Sequence, residues 1–317
     1  MPTPLVFVLI GFGVGLLFGS FLNVCISRLP RGESIVKPRS HCMACGRSIR
    51  WYDNIPVLSW IILRARCRDC KAQIPWRYPA VELAIGLWFA FVAWRATLLL
   101  PTYFRWTENA RIYHSSAPIL AVLGSITLLI LGFLLIGLMV MDWQTHRLPD
   151  AFTLTGTAIG LFLVCVQAIF LAPGEGAVIL ADQHLRLRSP GAGAYEGNVF
   201  LTGAEALVFG RIAAVAGAAL LLLAGRWLYK AIRKRDGMGL GDVKLMMLLA
   251  AFLGFSQSLL ALLLGVLTAS LYGFIQIARG RAHAATRLPL GSFLAAGGLF
   301  TALFGPGIVA WYTNLLR

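Results

Sequence analysis

Residues 118–141 contain no charged side chain. A run of about 20 apolar residues is what an α-helix needs to cross the hydrocarbon core of a bilayer. Comparable stretches recur at about 5–26, 79–100, 151–171, 202–228, 259–277 and 290–312, with a shorter one at 242–255 that a Ser256-Gln-Ser258 turn would join to the next. In lipid, every backbone N–H and C=O must be satisfied within the protein, so such stretches fold as helices. The pattern predicts an all-α polytopic membrane protein of about eight transmembrane helices. Composition agrees: of 317 residues, 58% are hydrophobic and 13% charged, with a mean hydropathy of +0.77. The stretch at 5–26 has no basic residue before it and runs into a patterned polar loop, so it reads as a retained span and not as a cleaved signal.

The formal net charge of +15 is unevenly placed. With the N-terminus outside and eight spans, the inner connections 28–78, 142–150, 229–241 and 279–288 hold 19 Lys and Arg, and the outer connections 101–117 and 172–203 hold 4. Such an asymmetry orients a membrane protein with its basic loops in the cytoplasm. It accounts for the basic charge without a nucleic-acid partner; the partner it implies is the lipid membrane.

The longest inner connection, 28–78, carries eleven of these basic residues and two cysteine pairs, Cys42-Met-Ala-Cys45 and Cys67-Arg-Asp-Cys70, 21 residues apart. Two such knuckles supply four thiolates for a tetrahedral Zn²⁺ ion. Each pair alone would also serve as a redox dithiol. A disulfide framework does not suit a cytoplasmic loop. With all four positions taken by protein, the zinc would be structural, and it would supply much of the folding energy of a loop with few apolar residues. The expectation is a cytoplasmic zinc-binding loop domain with four cysteine ligands. Two polar residues lie in the spans that flank it. Asn23 reads as an interhelical hydrogen-bonding group or a site residue, and Glu82 as a carboxylate near a helix N-terminus or a site residue.

Two further stretches carry acids at span ends on the same inner face. Gly237-Met-Gly-Leu-Gly-Asp-Val-Lys-Leu245 alternates three glycines with apolar residues before a carboxylate. Glycines such as Gly239 and Gly241 permit positive φ and close approach of other groups. Asp242 either caps the helix that follows or works at the membrane face, where ionisable groups are functional candidates. Asp142-Trp-Gln-Thr-His-Arg-Leu-Pro-Asp150 brackets a nine-residue connection with two more acids. Asp150, after Pro149, suits an N-cap. Asp142 stands at a helix C-terminus, where a carboxylate opposes the helix dipole, so it is the stronger functional candidate; His146 reads as a loop residue. Paired carboxylates in one site cannot easily both ionise, which is the arrangement of an aspartic protease. A proton-relay transporter would instead carry its acids near the bilayer midplane. A zinc-stabilised membrane scaffold would leave Asp142 without a purpose.

Gly239-Leu-Gly-Asp242 resembles the Gly-x-Gly-Asp element of aspartyl membrane proteases. With Asp142, Leu148-Pro149-Asp150, Gly19-Ser-Phe-Leu-Asn-Val24, Trp51-Tyr-Asp-Asn-Ile-Pro-Val-Leu-Ser-Trp60, Trp76-Arg-Tyr-Pro-Ala-Val-Glu82 and the twin cysteine pairs, the chain resembles the bacterial type IV prepilin leader peptidase family from about residue 11 to 310. The resemblance implies a bifunctional inner-membrane enzyme. It removes the basic leader of type IV prepilins or type II secretion pseudopilins after a glycine, then N-methylates the new N-terminal residue with S-adenosylmethionine. It implies Asp142 and Asp242 as the catalytic pair, supported by the backbone at Gly239 and Gly241, and Cys42, Cys45, Cys67 and Cys70 as zinc ligands. It associates methyl transfer with residues 1–100, where Asn23 and Glu82 are candidates, and peptidase chemistry with 118–317. A peptidase lacking the methylase is the alternative; no Rossmann glycine fingerprint for the methyl donor is present. Asp142 and Asp242 are 100 residues apart, further than is usual in the family, and the excess maps to the outer loop 172–203.

Overall fold

The computed structural model describes residues 4–109, 117–175, 179–181, 184–186, 203–234, 239–281 and 288–315. Helix α1 (Pro4–Arg28) leads into the cysteine-bearing loop, which contains the one-turn α2 (Leu58–Ile62). Then follow α3 (Arg77–Asn109), α4 (Ala117–Thr145), α5 (Asp150–Glu175), α6 (Gly203–Arg233), α7 (Leu240–Leu253), α8 (Phe255–Ala278) and α9 (Leu290–Leu315). Among the described residues, seven helices are long and apolar enough to cross a membrane. The eighth expected span is α7, whose 14 residues rise roughly 21 Å, short of the ~30 Å hydrocarbon core. Within the expected outer loop, strands β1 (Ile179–Ala181) and β2 (His184–Arg186) pair antiparallel.

Helix α7 is the centre of the bundle. From Leu245 onward it is apolar on every side, as a helix enclosed by others must be, and Leu245, Met246, Leu248, Leu249, Ala250 and Ala251 are fully buried. Leu131, Leu135, Leu138 and Met141 of α4 fill the same core. Gly160 on α5 accommodates the ring of Phe252, 2.7 Å from where a Cβ would stand. The break between α7 and α8 is not the expected Ser256-Gln-Ser258 turn. It is Gly254, held at φ 86°, and the two serines lie in the first turn of α8. A left-handed backbone at one residue is enough to reverse the chain, and glycine adopts it without strain.

Helices α1 and α3 pack along a stripe of small residues. Gly11, Gly15 and Gly19 recur every fourth residue and so share one face. A Cβ at Gly15 would stand 2.8 Å from Gly86 Cα, and one at Gly19 would stand 2.6 Å from Glu82 Cα. The two backbones touch, the usual means of holding helices together in lipid.

The connection between α4 and α5 is shorter than expected. Helix α4 continues past Asp142 to Thr145, and α5 starts at Asp150. His146 ends α4 in the left-handed region, φ 49°, with its N–H donating to Asp142 O at 2.9 Å. Only residues 146–149 remain to link the helices.

Candidate functional site

Asp142 lies in the last turn of α4, buried at 6% exposure. Its Oδ2 accepts the Ser292 N–H at 2.7 Å and lies 3.1 Å from Ser292 Oγ. Ser292 Oγ is also 2.9 Å from Met139 O. Ser292 belongs to the first turn of α9, whose leading N–H groups have no partner within the helix. By sequence, Asp142 stands against the C-terminal dipole of its own helix. In the fold it faces the N-terminus of another, where a carboxylate is favoured. A Cβ at Gly291 would stand 3.0 Å from Asp142 Oδ2, so only glycine leaves room for the carboxylate.

Asp242 is the third residue of α7 and half-buried. Gly239 precedes the helix with φ −73°, and its backbone faces the Asp242 carboxylate. The structure brings Asp142 and Asp242, 100 residues apart in the chain, to either side of Leu148, and the Asp142 charge reaches Asp242. Of the glycine motif that starts at Gly237, Gly237 and Met238 lie outside the described residues. Gly239 and Gly241 do not use the positive φ open to them; Gly241 provides close approach. A Cβ at Gly241 would stand 3.2 Å from Leu148 Cβ, and one at Gly291 would stand 2.9 Å from Leu148 Cδ1. Leu148 is therefore a wedge between the backbones that carry Asp242 and the partner of Asp142. Beside it, Asp150 is more than a helix-start residue: its Oδ1 pairs with Lys244 Nζ at 2.6 Å, tying α5 to α7.

The four loop cysteines converge. Their sulfurs all lie within 4.8 Å of one another, and Cys42 and Cys70 are 3.8 Å apart. Two sulfurs at ~2.3 Å from one tetrahedral ion are separated by about that distance, so the set fits Zn²⁺. The knuckles are built alike. Cys42 N–H donates to Arg47 O and Gly46 N–H to Cys42 O; Cys67 N–H donates to Ala72 O and Lys71 N–H to Cys67 O. Each ends in a left-handed residue, Gly46 at φ 71° and Lys71 at φ 60°. Backbone N–H groups of Cys45 and Ala44 pull the Cys42 thiol down to about 7, while the neighbouring cysteine sulfurs hold Cys70 up at about 11. Around the knuckles, Arg68 grips Asp53 through two bonds, 2.8 and 2.6 Å, and holds that carboxyl below its ordinary range.

Between the loop and the ends of α1 and α3 is a cavity of about 620 Å³, reached by Asn23, Arg28, Asp53, Tyr78 and Glu82. Asn23 and Glu82, singled out separately in the sequence, line one cavity. Asn23 Nδ2 donates to Tyr78 O at 3.0 Å, and Glu82 Oε2 accepts the Val57 N–H at 2.7 Å. Arg77, on the cavity wall, donates to Gln144, two residues beyond Asp142. The cavity and the acid pair thus adjoin at one end of the bundle.

Sequence reasoning missed Ser292, Gly291 and the wedge role of Leu148. Pro289-Leu-Gly-Ser292 stands at the entry to the last span, but nothing local tells which acid would fill the start of that helix.

Two family models match the chain: the bacterial peptidase A24 N-terminal domain over residues 14–96, and the type IV leader peptidase family over residues 197–274. The prepilin leader peptidase/N-methyltransferase of Stutzerimonas stutzeri is 31% identical, covering 99% of this chain and 96% of its own. That of Pseudomonas aeruginosa is 31% identical over 98% and 94%. That of Myxococcus xanthus is 41% identical over 48% and 38%. No solved structure matches the chain.

Proposed function

The chain belongs to the prepilin leader peptidase/N-methyltransferase family, and from that premise we propose that it cleaves the basic leader of type IV prepilins or type II pseudopilins and then methylates the new N-terminus. The observation that carries the peptidase half is the placement of Asp142, at the end of α4, and Asp242, at the start of α7, on either side of Leu148. One carboxylate, ionised, takes a proton from water as the water oxygen attacks the scissile carbonyl. The other, protonated, donates to the developing oxyanion. Collapse of the tetrahedral intermediate breaks the C–N bond. The leaving amine gains a proton, and the leader departs with the carboxyl group. Gly239 lets the substrate backbone approach Asp242, and Gly241 seats Leu148 beside it. Residues 118–317 form this peptidase unit.

Residues 1–100, with the zinc loop 28–78, form the methylating unit. Cys42, Cys45, Cys67 and Cys70 hold a structural Zn²⁺ that fixes the walls of the adjoining cavity. A volume of about 620 Å³ lies within the range of small-molecule sites and suits S-adenosylmethionine, which supplies an electrophilic methyl group when bound. Glu82 offers a buried anion to a cationic donor and an acceptor for the proton that the amine releases on methylation; Asn23 sets the position of Tyr78 beside it. The asymmetry of basic residues between loops supports placement in the inner membrane with both sites facing the cytoplasm.

The test is a liposome assay on a prepilin with a basic leader and a Gly-Phe junction, read by mass spectrometry. Wild type is expected to lose the leader and gain a methyl group. Asp142→Asn and Asp242→Asn are expected to leave the leader in place yet still methylate a pre-cleaved pilin. Normal cleavage by either variant rules the pair out.

A further inference from the structure

Helix α2 is built inside out. Its buried residue is Ser59, at 7% exposure, whose Oγ donates to Tyr52 O at 3.1 Å and accepts the Ile55 N–H at 3.0 Å. Its apolar residues face outward: Leu58 is 48% exposed, Ile61 59% and Ile62 65%. In a loop standing free in water this arrangement forfeits the burial that a helix of this composition exists to gain.

The level at which α2 sits resolves the inversion. Val57, immediately before it, donates its N–H to Glu82. Glu82 is five residues into the apolar span that starts at Arg77, roughly 7–8 Å along the helix axis. The loop is thus drawn down beside the first turns of a membrane helix. Getting there costs backbone strain: Val57, a β-branched residue, is held at φ 60°. Trp60 Nε1 donates to Ile74 O at 3.1 Å, so α2 is also tied to the segment entering α3. That segment carries Trp76, 75% exposed, and the chain leaving α2 carries the exposed Arg64 and Arg66.

We infer that α2 is an interfacial anchor: Leu58, Ile61 and Ile62 lie in the upper acyl region of the bilayer, Trp76 lies at headgroup level, and Arg64 and Arg66 meet anionic headgroups. Apolar side chains below, aromatics at the boundary and cations above is the order in which side chains partition at a membrane surface. The loop is consequently held flat against the lipid, and the cavity it roofs opens at a fixed height above it. The inference rests on the membrane-spanning fold and not on which reaction either site performs.

The test uses the protein in nanodiscs containing phosphatidylglycerol, with a photoreactive amino acid placed at Ile62 or, as control, at the similarly exposed Met43 within the first knuckle. The expected result is a lipid adduct at position 62 and none at 43. In the second arm, amide exchange across 57–66 is expected to be slow in these nanodiscs and to accelerate in an Ile61→Ser/Ile62→Ser protein, with leader cleavage and zinc content both retained. An adduct to added prepilin in place of lipid would assign the face to substrate and overturn the anchor. So would the absence of any adduct at 62, or equal lipid adducts at both positions.

Discussion

Glycine at 291 is set by what stands on either side of it. A Cβ there would lie 3.0 Å from Asp142 Oδ2 and 2.9 Å from Leu148 Cδ1. With Asp142 as the proposed reacting carboxylate, Gly291→Ala is expected to lower the leader-cleavage rate by about tenfold or more, since small displacements of a reacting group are costly, at a stability cost of about 1–3 kcal/mol for overpacking. Kinetics alongside a thermal melt would separate the two. A paired Leu148→Val is expected to return part of the activity by opening space on the other side. At the second knuckle, Lys71 takes the conformation that Gly46 takes at the first. Lys71→Gly should therefore relieve about 1 kcal/mol of left-handed strain and delay metal loss to a chelator, whereas Gly46→Val should hasten it. The acids were legible in the sequence because glycines, Leu-Pro and an apolar run frame them at fixed spacing. Their partners were not. Ser292 meets Asp142 across 150 positions, and no local pattern encodes which helix start a distant carboxylate will fill.

Among the elements, the cysteine loop depends most on something other than its own packing. Its ordered groups are two knuckles, short turns and exposed ion pairs such as Arg47–Asp69 at 3.2 Å, which contribute little. Removing the metal is expected to unfold residues 40–76 while α4, α7 and α9 stay protected, as read by hydrogen exchange, because metal binding and folding are coupled in such units. Methyl transfer should fall with the loop, and leader cleavage should largely persist. The paired cysteines announced this unit in the sequence through spacing alone. The short α7 was also legible, as an apolar run too brief to match its neighbours. The break after it was misplaced: polar Ser256 and Ser258 read as a turn, yet helices in lipid carry serine readily when its hydroxyl bonds a carbonyl of the preceding turn, as Ser258 Oγ does to Phe255 O at 2.8 Å. Gly254 was the true signal.

Across the whole molecule, the lengths of the apolar runs were enough to lay out seven membrane-spanning helices among the described residues. They were silent on which helix occupies the centre and on what lies between the two ends of the chemistry. Arg77 and Gln144 join the wall of the cavity to the helix that bears Asp142. On the proposed assignment of the two sites, a pilin whose leader has just been cut has its fresh N-terminus beside the cavity before its hydrophobic segment has left the acid pair. The enzyme should act processively. In a chase experiment, labelled prepilin bound to enzyme and then flooded with unlabelled, already cleaved pilin is expected to emerge cut and methylated in the same encounter, with little dilution of methyl into the competitor. Extensive methylation of the competitor ahead of the labelled chain would mean two separate visits, and the bond between α3 and α4 would then be a brace and not a handover point.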